Sequence, residues 1–132
     1  MSLDNVEVVT RVIDAGSRGD LDTVVALHHP EWTGFIPDEY PVAGTWRGLD
    51  GVRAFAEEWL EAWDEFRAEL ESLVTGDDAV LATVHYWGRG RGSGIEITDR
   101  WYYAYRLRES KIISWRPYAD RAEALADLGL KG

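Results

Sequence analysis

Two helices are predicted at the start of the chain, where apolar residues recur every three or four positions. The first opens on a capping box, Asp4 followed by Glu7, and runs to about Ser17. The second is shorter; Asp20 caps it and Pro30 closes it. The apolar positions of the pair are Val6, Val9, Val12, Ile13 and Gly16, then Leu21, Val24, Val25 and Leu27. Each helix therefore has one side suited to a core.

The middle of the chain predicts a strand, a loop and a third helix. Residues 32–36 form a short strand, and residues 37–48, with two prolines and two glycines, form a loop over the open end of the domain. Helical spacing then returns at Val52, Phe55, Ala56, Trp59 and Trp63. This third helix has an aromatic face, which must pack against other apolar side chains.

Alternating apolar and polar residues in the second half of the chain predict strands. Residues 66–74 alternate with one solvated side, and three further strands follow at residues 79–88, 95–107 and 111–118. A last helix begins at a second capping box, Asp120 and Glu123, and ends at Gly129. Helices segregated from a run of successive strands indicate an α+β fold with a mainly antiparallel sheet.

Composition places the chain among globular domains. Its 132 residues fit one domain spanning residues 1–132, and the 45% of hydrophobic residues, with seven Trp, suffice for a packed interior. The formal net charge of −10 argues against nucleic acid as a partner, because that affinity rests largely on Lys and Arg. No apolar segment is long enough to cross a bilayer, and the first residues lack the pattern of a secretory signal. We expect a cytoplasmic protein with no membrane partner.

Three features of the sequence bear on metal binding, phosphate binding and nucleophilic catalysis, and none of them predicts such a site. The absence of Cys removes thiolate metal sites and cysteine nucleophiles. The glycine-rich residues 89–94 lie between two strands, so they predict a flexible hairpin rather than a phosphate-binding loop. His28 and His29 are adjacent, so on a helix they point about 100° apart and cannot grip one metal ion; a helix C-terminus is predicted for them. We expect no metal and no cofactor.

A longer motif carries a resemblance to a known family. The segment Gly19-Asp20-Leu21-Asp22-Thr23-Val24-Val25-Ala26-Leu27-His28 is followed by Pro30-Glu31-Trp32 and, far downstream, by strands that end at Tyr118-Ala119-Asp120. With these segments in this order, the chain resembles the nuclear transport factor 2-like superfamily over nearly its whole length. The resemblance is strongest to the SnoaL-like and ketosteroid-isomerase-like members of that superfamily. The resemblance implies a cone-shaped α+β domain whose curved sheet, with the N-terminal helices packed on its concave face, encloses one pocket.

The catalytic residues that the resemblance implies are not kept. Ketosteroid isomerases place their base just before a proline at the end of the first strand, where this chain has Ile36. Their two oxyanion donors fall on Val12 and Tyr103, and SnoaL-type cyclases place an acid-base aspartate at the position of Tyr103. One donor is retained in the form of Tyr103. The sequence therefore argues against an ordinary ketosteroid isomerase and against an ordinary SnoaL-type cyclase.

The same resemblance implies which side chains face the pocket. Its polar candidates are His85, Asp99 and Tyr103. The other positions implied for the pocket are Val12, Gly16, Trp32, Phe55, Trp59, Trp63, Thr83, Trp87, Trp101, Tyr105 and Trp115. Such an aromatic chamber with few polar groups suits a flat or bulky apolar small molecule. The alternative is that these aromatic residues only pack the core.

Three functions stay open at this stage. The first is a module that binds a small apolar or aromatic organic molecule without altering it. The second is a cofactor-independent isomerase, cyclase or dehydratase, in which Asp99 orients His85 as a general acid or base and Tyr103 donates to a substrate oxygen. A core histidine satisfied by its neighbours is the alternative for His85. The third is a non-catalytic dimerising partner. We expect a homodimer through an outer sheet face formed by Thr98, Arg100, Tyr102 and Arg106.

Overall fold

Four helices and six strands make up the part of the chain that the computed structural model describes, residues 4–38 and 43–131. The helices are α1 (Asn5–Arg18), α2 (Leu21–Ala26), α3 (Gly48–Glu61) and α4 (Arg121–Leu128). The strands are β1 (His28–Ile36), β2 (Gly44–Arg47), β3 (Trp63–Thr75), β4 (Ala79–Gly90), β5 (Glu96–Arg108) and β6 (Lys111–Tyr118). No helix within these ranges is both long enough and apolar enough to span a membrane.

The six strands form one sheet in the order β2-β1-β6-β5-β4-β3. Every neighbouring pair is antiparallel except β1 and β6, which run parallel. The sheet is curved, and helices α1, α2 and α3 pack on its concave side. The predicted α+β class, with a mainly antiparallel sheet in a cone-shaped fold, is therefore confirmed.

Side-chain caps set the helix starts that the sequence predicts. The Asp4 carboxylate accepts a hydrogen bond from the Glu7 amide, with 2.8 Å between Oδ1 and N, and Asp20 accepts one from the Thr23 amide at 3.3 Å. Asp120 caps α4 in the same way. The first amides of a helix have no partner inside the helix, so each cap satisfies a donor that would otherwise need water. The predicted starts of α1, α2 and α4 are confirmed.

The chain between α2 and α3 differs from the prediction. Strand β2 occupies Gly44–Arg47 inside the predicted loop, and residues 39–42 of that loop lie outside the described residues. Strand β1 begins at His28, so the predicted helix C-terminus at His28 and His29 is wrong. Pro30 lies inside β1, where the register with β6 shifts between His28 and Thr33. Because proline lacks the amide that a ladder bond needs, a strand accommodates it at such an irregularity.

The core lies between the concave face of the sheet and the first three helices. Val8, Val9 and Ala15 of α1 have no exposed surface and pack against the sheet. The sheet residues of the same core are Val80, Ala82, Val84 and Tyr86 from β4 and Trp101, Tyr103, Tyr105 and Leu107 from β5. These positions are every second residue of each strand, so they share one face.

Helix α4 packs on the opposite, outer side of the sheet. Its residue Ala124 is fully buried. The Tyr118 hydroxyl donates to the Asp127 carboxylate at 2.8 Å, and the Arg106 guanidinium forms an ion pair with the same carboxylate at 2.9 Å. Burial and the bond to Asp127 raise the pKa of Tyr118 to about 12. Arg106, which the sequence assigned to an intermolecular face, is therefore held by its own chain.

Candidate functional site

A partly open cavity of about 130 Å³ lies between the concave sheet face and helices α1, α2 and α3. The predicted pocket residues that line it are Val12, Gly16, Trp32, Phe55, Trp59, Tyr103, Tyr105 and Trp115. Its other lining residues are Ile13, Ser17, Leu21, Val24, His28, Val52, Ala56, Leu60, Phe66 and Ala68. No Asp, Glu, Lys or Arg is among the described residues of this lining. The cavity is therefore an apolar chamber with a few neutral polar groups.

Ring contacts hold the aromatic wall of the cavity in shape. Phe55 packs against Trp115 with ring centroids 5.4 Å apart, and Trp115 meets Tyr103 edge-on at 5.1 Å. Trp59 contacts Phe55 at 6.3 Å. Contacts of this kind add about 0.5–1.5 kcal/mol each beyond the area that they bury. The wall is therefore built from rings that fix one another's orientation.

The structure places Trp63 and Trp101 in the core behind this wall, and not on the cavity as the sequence predicted. Both contact the Trp59 ring, with centroid distances of 5.6 Å for Trp63 and 5.7 Å for Trp101. Trp63 also begins β3 instead of extending α3, because the helix ends at Glu61. Trp63 and Trp101 therefore pack the core, which was the alternative to a role in the pocket.

The prediction that Thr83, His85 and Trp87 face the cavity is wrong by one residue. In the pairing of β4 with β5, Val84 stands opposite Trp101, and both belong to the core. Neighbours along a strand point to opposite faces, so the three predicted residues of β4 lie on the outer face. Thr83, His85 and Trp87 therefore do not line the cavity, and the even-numbered residues of β4 face the core instead.

The structure does not bring His85 and Asp99 together as an acid-base pair. His85 stands opposite Arg100, and its Nε2 lies 3.0 Å from Thr98 Oγ1. Asp99 stands opposite Tyr86 and so belongs to the other side of the sheet, where its Oδ1 accepts from the Arg100 amide at 2.8 Å. Proton transfer needs hydrogen-bond reach, which the sheet itself prevents here. The prediction that His85 and Asp99 form an acid-base pair is therefore wrong.

Two tyrosines of β5 reach the cavity. Tyr103 lines it and is almost fully buried. Burial raises the pKa of the Tyr105 hydroxyl well above its usual range, and the neighbouring Trp115 indole opposes this effect only in part. Tyr105 therefore keeps its proton at neutral pH and adds no charge to the chamber.

His28 is a cavity residue that the sequence did not predict. Its Nδ1 lies 2.6 Å from the Val24 carbonyl oxygen, and since a carbonyl only accepts, we assign the ring proton to Nδ1. The ring meets Trp32 edge-on at 5.4 Å. Burial lowers the pKa of His28 to about 4, so the imidazole is neutral near pH 7. His28 is buried like Trp32, Gly34 and Ile36 of β1, but Pro30 between them is exposed, so the alternation of the strand is interrupted and does not by itself predict His28.

The curved sheet, the helices on its concave face and the enclosed cavity define a nuclear transport factor 2-like domain. A protein of that class from Burkholderia thailandensis E264 superimposes with a TM-score of 0.80 at 23% identity, over 98% of this chain and 99% of that one. Another from Burkholderia xenovorans LB400 has a TM-score of 0.75 at 28% identity, over 96% of each chain. The predicted superfamily is confirmed.

The chain belongs to the SnoaL-like domain family, whose profile matches residues 9–115. An uncharacterized protein of Mycobacterium tuberculosis is 28% identical over 82 residues, which are 61% of this chain. The matched stretch spans 63% of that relative's own length. A shared fold does not define a reaction, so the function has to be argued from the cavity.

Proposed function

We propose that this protein binds a small, uncharged and largely apolar organic molecule in the cavity. The observation that carries the proposal is the lining, in which aromatic and aliphatic side chains surround the space and no described residue is charged. Small-molecule sites are typically concave and mostly apolar, with a few polar groups that fix orientation. The hydroxyl groups of Tyr103 and Tyr105 and the imidazole of His28 supply such groups here.

The size of the cavity favours ligands built on a single ring. Its volume is about 130 Å³, and an apolar cavity of about 150 Å³ in another protein takes up benzene. A six-membered ring with one or two small substituents therefore matches the space. A larger molecule would have to extend through the opening towards solvent.

The electrostatics of the cavity disfavour ionised ligands. A buried carboxylate or ammonium group needs an opposite charge and hydrogen bonds, and without them its transfer from water costs several kcal/mol. The described lining offers no such charge. The surrounding surface is no better for anions, since the chain carries a formal net charge of −10.

The proposal predicts that filling the cavity abolishes binding while the fold is kept. Ala56→Leu adds three carbon atoms at a lining position of α3. With toluene as the probe, we expect calorimetric titration to show binding to the wild type and at least about tenfold weaker binding to the variant.

Ala54→Leu is the matched control, because Ala54 lies on the same helix and is exposed. It should bind toluene like the wild type. Circular dichroism of both variants checks that the fold is kept. Failure of the wild type to bind toluene, or equal binding by both variants, would contradict the proposal.

We infer in addition that two copies of the chain pair through the outer sheet face. Of the four residues first expected on this face, Arg106 is left out because it pairs with Asp127 of its own chain. With the neighbouring positions of β3 and β4 added, the face consists of Arg67, Glu69, Glu71, His85, Trp87, Thr98, Arg100 and Tyr102. The Arg67 guanidinium lies 4.7 Å from the centroid of the Trp87 ring, and Arg100 pairs with Glu71 at 2.5 Å between Nε and Oε1. A twofold dimer brings the same surface patch of both copies together, so the patch must complement itself. A face that carries positive and negative side chains next to aromatic rings meets this requirement.

Trp87→Glu is expected to weaken this dimer at least about tenfold, because it replaces the large aromatic ring of the face by a charge. Sedimentation velocity over a range of concentrations measures the effect. Ile95→Glu serves as the control, since Ile95 is exposed between β4 and β5 and lies outside the face. A wild type that stays monomeric at the highest concentration would refute the inferred dimer.

A further inference from the structure

His28 offers the cavity one ring nitrogen that no described residue of the chain uses. The Nδ1–H group donates to the Val24 carbonyl at 2.6 Å, which leaves Nε2 with a lone pair. Among the residues that the structure describes, none bonds to Nε2. The side chain is more than nine-tenths buried and lines the cavity. The lone pair of Nε2 is therefore available to a partner that enters the cavity.

We propose that His28 Nε2 accepts a hydrogen bond from a hydroxyl group of the ligand, so that the cavity selects single-ring phenols or alcohols. This proposal rests on the proposed function and specifies the chemical class of its ligand. The acceptor is held in place on both sides, by the bond to Val24 and by the edge-on contact of the ring with Trp32 at 5.4 Å.

The neutral state of the ring decides which ligand groups His28 can recognise. Burial lowers the pKa of His28 to about 4, so Nε2 is an acceptor at neutral pH and not a donor. Ketones and ethers offer only acceptors and cannot pair with it. The nearby charge, Lys111, is turned away, because its exposed Nζ donates to the Ala26 carbonyl at 2.6 Å.

Other polar groups around the cavity are at least partly engaged within the chain. Ser17 Oγ accepts from the Ala68 amide at 3.1 Å, and the Tyr105 hydroxyl interacts with the neighbouring Trp115 indole. A ligand hydroxyl that enters the chamber therefore finds at His28 a preformed and rigid acceptor.

A pair of probes of equal shape tests this proposal, p-cresol and p-xylene, which differ by a hydroxyl in place of a methyl group. In wild-type protein labelled with 15N at histidine, p-cresol should move the Nε2 resonance of His28, and p-xylene should leave it in place. If both probes bind and neither moves this resonance, the role of His28 is overturned while the proposed function stands. If neither binds, both proposals fail.

A substitution gives the second arm of the test. His28→Phe should lower the affinity for p-cresol at least about fivefold, the worth of one neutral hydrogen bond, and leave the affinity for p-xylene within about twofold. His29→Phe is the control, because His29 is adjacent and does not line the cavity. Equal losses for both probes would contradict the assignment. If His28→Phe does not fold, the wild-type resonance decides the question alone.

Discussion

Trp32→Ala is expected to lower the free energy of unfolding by about 3–5 kcal/mol, the usual cost of truncating a large buried aromatic residue. Trp32 is only 2% exposed and lies between the sheet and the cavity. Since small domains are stable by about 5–15 kcal/mol in total, this single change removes a large share. Urea unfolding followed by far-UV circular dichroism measures it.

Trp32→Phe is the informative control. The Trp32 indole N–H is buried and has no acceptor among the described residues, so its removal relieves an unsatisfied donor. We therefore expect the Phe variant to lose much less stability than the Ala variant. Equal losses would show that the indole N–H has a partner and that ring volume is not the main contribution.

Gly34 provides an independent check on the same packing. A Cβ atom added at Gly34 would lie 2.6 Å from Cη2 of the Trp32 ring, which is too close for a buried and rigid group. Gly34→Ala should thus destabilise the wild type by about 1–3 kcal/mol and cost little when Trp32 is already Ala. The two changes should be strongly coupled, and simple additivity would show that the ring does not rest on Gly34.

The order of helices and strands could be predicted from the sequence because local signals mark it. Asp4, Asp20 and Asp120 stand where helices begin, and each side chain accepts the expected amide bond. Strand β5 shows a clear alternation, with Trp101 and Tyr103 inside and Arg100 outside, so its inner face was predicted correctly.

Strand β4 shows why part of the site could not be predicted. Both of its faces are rich in apolar residues, since Leu81 and Thr83 are buried on the outer side while Val80 and Ala82 are buried on the inner side. A strand buried on both faces has no polar alternation to fix its orientation. A shift of one residue then moves every side chain to the other face, which is what happened to His85.

His28 was missed for a different reason, the length of a helix. The apolar pattern from Leu21 to Leu27 is compatible with a helix that continues to Pro30, yet α2 ends at Ala26. Strand β1 then starts at His28, which pairs with Ile112 of β6. This pairing joins residues far apart in the chain, and no local signal in the sequence reports it.

The stability of the fold is expected to decrease by about 2 kcal/mol between pH 7 and pH 5 because of His28 alone. Burial lowers its pKa from 6.5 to about 4 in the folded chain. Between these values the unfolded chain binds a proton that the folded chain does not, so acid favours unfolding. The contribution is complete above the unfolded pKa, and about 3 kcal/mol is lost once the pH has fallen to the folded pKa.

The interval from pH 7 to pH 5 separates the loss of stability due to His28 from the loss due to the carboxylates. The pKa values of Asp20, Glu71 and Asp127 are lowered by their hydrogen-bond partners, so their contributions have the same sign but are lost at lower pH. Lys111 is the charged group that acts on His28.

Urea unfolding of the wild type and of His28→Gln at pH 7 and pH 5 measures this linkage. The glutamine amide can still donate towards Val24 and does not titrate, so the variant should lose about 2 kcal/mol less than the wild type over the interval. His29 and His85 are present in both proteins, and their contributions cancel in the difference. Parallel losses in the two proteins would mean that His28 is accessible to water in the folded state. The same result would remove the neutral, buried acceptor on which hydroxyl recognition depends.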